Sequence, residues 1–107
     1  MTQTDPRTFP PVDAGHGVIR RVLAERPELM VVEFAFGPEG KGLPHSHPHV
    51  QSTYVASGRF AFTVAGETRE LGPGDSLVVP PGAVHSCDAI EPGVLIDTFA
   101  PRRDDFL

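Results

Sequence analysis

At 107 residues and a net charge of -5, with Lys41 the only lysine among nine basic residues, the chain has room for one domain and no polybasic segment. That balance excludes nucleic acid and anionic membranes as expected partners, and no apolar run approaches the length of a membrane span. The single cysteine, Cys87, rules out an internal disulfide framework and fits a reducing compartment.

Residues 1–15 carry Pro6, Pro10 and Pro11 among polar neighbours and read as an extended arm. Strand-like runs follow, punctuated by glycine and proline. The first covers Gly17–Ala24 and the second Leu29–Phe36, where Val32, Phe34 and Phe36 alternate with Val31, Glu33 and Ala35. Gly37–Pro44 is expected to be a loop. Further strands are predicted over Ser52–Ala56, Arg59–Val64, Thr68–Leu71, Ser76–Val79, Val84–Ala89 and Val94–Phe99. A hairpin turn is expected at Ala65-Gly66-Glu67. With 12 prolines and 11 glycines, no sustained helical period survives. Residues 16–107 are expected to form one all-β sandwich or barrel. The terminal stretch Arg102–Leu107 reads as a frayed tail or a docked turn.

Within this pattern the histidines stand in a fixed frame. Gly40 leads into His45-x-His47, then three residues, Gln51, six residues and Gly58. A second run holds Gly74, five residues, Pro80-x-Gly82, two residues and His85. Residues two apart on a strand face the same way, so His45 and His47 are expected to aim inward together. Gln51 reaches the same point, and His85 arrives from another strand. Three imidazole nitrogens and an amide oxygen make a donor set for one divalent metal; nickel, zinc, iron and manganese are not distinguished. His49 is expected to support this site from outside or to face solvent. His16 is expected at the surface, and Cys87 as a buried structural thiol.

These two runs resemble the motifs of the cupin superfamily, which implies a double-stranded β-helix, the jelly-roll barrel, over the region 40–89. Two positions depart from the common pattern: Gln51 stands where glutamate is usual and Ala89 where asparagine is frequent. A neutral amide leaves the full dication charge on the site, which favours Lewis-acid chemistry over oxygen activation.

Near the C-terminus, Asp97 and Phe99 alternate on the last predicted strand and share an inward face. Arg103 follows a turn at Pro101 and is placed to fold back over the mouth as a carboxylate clamp. The run from Asp97 to Phe106, together with His45-Ser46-His47-Pro48-His49-x-Gln51, resembles the small cupins of pectin and alginate catabolism, the KdgF type. That resemblance implies metal-dependent opening of 4,5-unsaturated monouronates, the end-products of lyases, to the linear keto form. It implies His45, His47, Gln51 and His85 as metal ligands and Asp97, Phe99 and Arg103 as catalytic residues, with a small anionic sugar as substrate. Val50 departs from the glutamate expected before Gln51, which touches substrate preference. A sugar-binding module without turnover and a cupin dioxygenase are the alternatives. The protein is expected to be cytoplasmic, having no signal pattern, and a homodimer, because a chain this short buries only about two-thirds of its unfolded surface.

Overall fold

The computed structural model describes residues 9–107, so most of the expected arm, residues 1–8, lies outside the described residues. The strands are β1 (Val12–Gly15), β2 (Val18–Arg26), β3 (Leu29–Phe36), β4 (Lys41–His45), β5 (Val50–Val64), β6 (Glu67–Leu71), β7 (Ser76–Val79) and β8 (His85–Ala100). A 3-10 turn over Asp104–Phe106 follows. The hydrogen-bonded order is β1-β2-β3-β8-β5-β6, with β4 on β8 and β7 on β5. This is an all-β arrangement with jelly-roll-like topology.

Two long strands carry the architecture. The first half of β5 pairs with the second half of β8, Val50–Ser57 against Val94–Ala100, and its second half pairs with the first half of β8. Each strand was expected as two separate runs, split at Gly58 and at Pro92-Gly93. The chain instead continues through both points, because the register shifts between Val55 and Phe60 let the ladder bend there. The bend demands glycines. Gly58 has φ +81°, and a Cβ on Gly93 would lie 2.5 Å from the Gly58 Cα and closer still to the Ser57 carbonyl oxygen. Gly93→Ala is therefore expected to cost about 3 kcal/mol or more, lowering the melting temperature by roughly 10 °C or more in a thermal scan.

One further expectation is corrected. The stretch 37–44 is not all loop: β4 begins at Lys41 and pairs Lys41 with Asp88, Gly42 with Cys87 and His45 with His85. Within the expected arm, Val12–Gly15 runs as a short strand along β2 of the same chain. The hairpin turn forms where expected, with Ala65 at φ 50° and Gly66 at φ 82° joining Val64 to Glu67. Such paired left-handed residues match the twist of the flanking strands.

The alternation of β3 holds: Met30, Val32 and Phe36 are buried. Apolar side chains gather in two clusters. One contains Val18, Phe36, Val55, Phe60, Phe62, Leu71, Val79, Cys87 and Leu95; the other contains Val22, Met30, Val32 and Phe99. Burying each large side chain of these clusters contributes on the order of 1.5–3 kcal/mol. The C-terminal turn is docked, not frayed. Phe106 packs against the second cluster, and Arg102 bonds Glu25 at 2.8 Å and Asp104 at 2.7 Å. Among the described residues, no helix is long and apolar enough to cross a membrane.

Candidate metal centre

Both clusters contribute to the walls of a cavity of about 440 Å³, which also receives His45, Gln51, His85, Asp97, Phe99 and Arg103. His45 and His47 reach this site differently from the expectation that one strand presents both. His45 is the last residue of β4, and His47 lies in the turn before β5. The turn is held by the second motif: the Gly82 N–H donates to the His47 carbonyl at 2.8 Å, with Gly82 at φ +79°. That bond explains why a Pro-x-Gly turn must precede His85. His85 opens β8, in register with His45, their ring centroids 4.2 Å apart.

The ring nitrogens of His45, His47 and His85 lie within 4.8 Å of one another, His45 exposed and the other two buried. A carbonyl can only accept, so the three Nδ1 contacts fix the tautomers. His45 Nδ1–H donates to Leu43 O at 2.7 Å, His47 Nδ1–H to His49 O at 3.1 Å and His85 Nδ1–H to Ala83 O at 2.9 Å. Each ring thereby turns an Nε2 lone pair toward the cluster. The Gln51 amide nitrogen is also committed, donating to Thr53 Oγ1 at 3.0 Å and to Asp97 Oδ2 at 3.1 Å. Its oxygen therefore faces His47 Nε2 at 2.9 Å.

Two acceptors so close need a cation between them. Burial lowers the pKa of His47 and of His85, resisting protonation as the remedy. His85 Nε2 is buried without a hydrogen-bond partner among the described residues. A divalent metal answers all of these observations: it takes the lone pairs, and the backbone carbonyls behind the rings orient them. The donor set fits the ion.

Asp97 stands beside this cluster on β8, opposite Thr53 of β5 and two residues before Phe99. Both Asp97 and Phe99 are buried, as their shared face predicts. Burial pushes the Asp97 carboxyl up to about 7, against the downward pull of Thr53 and Arg103. Its Oδ2 accepts from Gln51, while Oδ1 has no partner among the described residues. A buried carboxyl with a free oxygen and a near-neutral pKa is equipped to exchange protons.

Arg103 lies at the cavity wall with its guanidinium carbon 5.1 Å from the Phe99 ring centroid and 4.2 Å from that of Phe106. It is paired: Nε and Nη2 donate to the two Asp105 oxygens at 3.0 and 2.9 Å. His49 supports the centre through its carbonyl, its ring outside the ligand cluster. His16 is exposed at the rim of the cavity. Cys87 is buried, and desolvation raises its thiol pKa, so it stays protonated. Sequence reasoning passed over Thr53 and Arg20, which also line or brace the site. The alternation Gln51-x-Thr53 and Val18-x-Arg20-x-Val22 carried that signal.

The fold and the histidine cluster define a cupin: the cupin-domain family matches residues 32–99, and the chain belongs to it. The pectin degradation protein KdgF of Dickeya dadantii is 39% identical over 97 residues, covering 89% of this chain and 88% of that protein. KdgF from a Halomonas species has a structure that superposes with a TM-score of 0.91 at 38% identity, covering 100% of this chain and 99% of that one. An RmlC-like cupin from Shewanella frigidimarina superposes at 0.93 with 36% identity, covering 100% and 96%. Within the cupins, the chain is a member of the KdgF family.

Proposed function

We propose that the protein is a metal-dependent isomerase that opens 4,5-unsaturated monouronates, released by pectin or alginate lyases, to linear 5-keto-4-deoxyuronates. The observation that carries this reading is the buried Asp97, one oxygen without a partner among the described residues, braced by the same Gln51 amide whose oxygen faces the histidine cluster. His45, His47, Gln51 and His85 would hold one divalent ion per chain; nickel, zinc, iron and manganese all suit this neutral donor set. Such an ion, when bound, supplies Lewis acidity for oxygen atoms that gain negative charge.

The remaining work falls to the chain. Opening the ring breaks the C1–O5 bond as the C1 hydroxyl loses its proton and becomes the aldehyde. The C1–O5 electron pair stays on O5 as an enolate; Asp97 takes the C1 hydroxyl proton on its second oxygen and returns it to C4, which leaves the C5 ketone. Nothing is oxidised or reduced, and no organic cofactor is needed. Phe99 forms an apolar wall against the sugar face, and Arg103 adds a cation at the carboxylate end. The relationship to KdgF, a pectin degradation protein, supports the substrate class.

The same reading includes strands closed as a jelly-roll barrel over 16–107, residues 1–15 as an arm, and a cytoplasmic homodimer that binds no nucleic acid. The net charge of -5, the single cysteine and the small size support it. The test is to follow the ultraviolet absorbance of the conjugated alkene in freshly made unsaturated monouronate. Metal-replete protein is expected to accelerate its loss without consuming oxygen. A rate equal to the protein-free blank would contradict the proposal.

A further inference from the structure

Arg20 lines the same cavity and has no part in the chemistry assigned to Asp97, Phe99 and Arg103. On β2 it follows Val18 and precedes Val22 by two residues, both buried, so the alternation turns Arg20 to the interior face. Its partner across β3 is Phe34, another wall residue of the cavity. The guanidinium carbon stands 4.1 Å from the centroid of Phe106, the ring that also carries Arg103 at 4.2 Å. Both guanidiniums thus stand over one ring, and both side chains line the cavity.

The two arginines differ in what they have left to give. Arg103 has its Nε and Nη2 donors committed to Asp105. Among the described residues, Arg21, Arg26, Arg59 and Arg102 are also paired with carboxylates. Arg20 has no such partner there, and it faces inward, whereas the unpaired Arg69 is exposed. Arg20 is half-buried at the cavity wall, where an entering carboxylate would give its donors a charged partner. A guanidinium fork matches a carboxylate with two parallel hydrogen bonds, which an ammonium cannot do.

We propose that Arg20 is a further carboxylate-recognising residue of this site, presenting its guanidinium fork to the substrate's C6 carboxylate from its place on Phe106, the ring that also carries Arg103. The inference rests on the uronate reading above and adds the residue that selects acids over neutral sugars. It also answers the long-range repulsion between an anionic substrate and a protein of net charge -5.

The experiment compares kcat and KM of the metal-replete protein and its variants on unsaturated galacturonate and on its methyl ester. Arg20→Gln is expected to raise KM for the acid about tenfold or more, with kcat changed far less and the ester unaffected. The preference for acid over ester then collapses, a change that loosened packing alone would not produce. Arg20→Lys keeps the charge without the fork and is expected to recover only part of the preference. Should the glutamine variant fail to fold, the lysine variant decides the point by the same ratio. An unchanged acid-to-ester preference in the folded variant overturns the role of Arg20 while leaving the isomerase reading standing. A wild-type protein inactive on both compounds overturns the two together.

Discussion

Replacing Asp97 with asparagine is expected to lower kcat by about 10²–10⁴-fold while one metal ion per chain is retained. The amide preserves shape and can still meet the Gln51 side chain, but it cannot take and return a proton. Metal analysis and turnover of the same preparation check both halves. A stability measurement supplies an independent readout. The carboxyl has a reference pKa of 3.8 and is raised to about 7 in the folded chain by burial. The folded state therefore favours the proton, and the contribution of Asp97 to stability is complete below 3.8 and lost as pH rises through 7. Metal-free wild-type protein should lose stability across that window, and Asp97→Asn should lack this loss. Unchanged turnover in the variant would remove Asp97 from the chemistry.

His45→Ala is the second large effect. Among the three clustered histidines only His45 is exposed, so removing its ring disturbs packing least and isolates its role as a ligand. The variant is expected to fold, to carry well under one metal per chain and to show no turnover above the blank. Metal at one hundred times its dissociation constant stabilises a protein by about 2.7 kcal/mol. Added metal should therefore raise the melting temperature of the wild type and leave that of the variant unmoved. A variant that still binds metal stoichiometrically and turns over would remove His45 from the ligand set.

The features that sequence carried plainly are those with a period or a frame. β3 alternates cleanly because one face is buried, and its buried residues are Met30, Val32 and Phe36. The His45-x-His47, Gln51 and His85 frame was legible because the turns that serve it need glycine at special dihedrals, as at Gly82. What stayed hidden depends on register. β5 and β8 looked like four strands, since glycine and proline normally end a strand, and only the close crossing of Gly58 and Gly93 lets both continue. β4 hid because its sequence, Lys41-Gly42-Leu43-Pro44-His45, carries the glycine and proline of a loop and no alternation of apolar residues. Arg20 was invisible beside Arg21 for a related reason. Adjacent strand residues face opposite ways, and the two arginines look alike until β2 is set against β3.

Arg103 shows how contacts refine a role read from spacing. Its return over the cavity wall follows from the docked turn at Asp104–Phe106, yet its pairing with Asp105 depends on the geometry of that turn. The chain thus places around a single aromatic ring one arginine paired with Asp105 and one that has no carboxylate partner among the described residues.

The most direct test strips the wild-type protein with a chelator, then returns one divalent metal in steps. The alkene absorbance of fresh unsaturated monouronate is followed at each step, with the product identified by proton NMR. The rate is expected to rise from the protein-free value to a plateau at one metal per chain, with the linear keto acid as product. A stripped protein as fast as the reloaded one, or a fully loaded protein no faster than the blank, would contradict it.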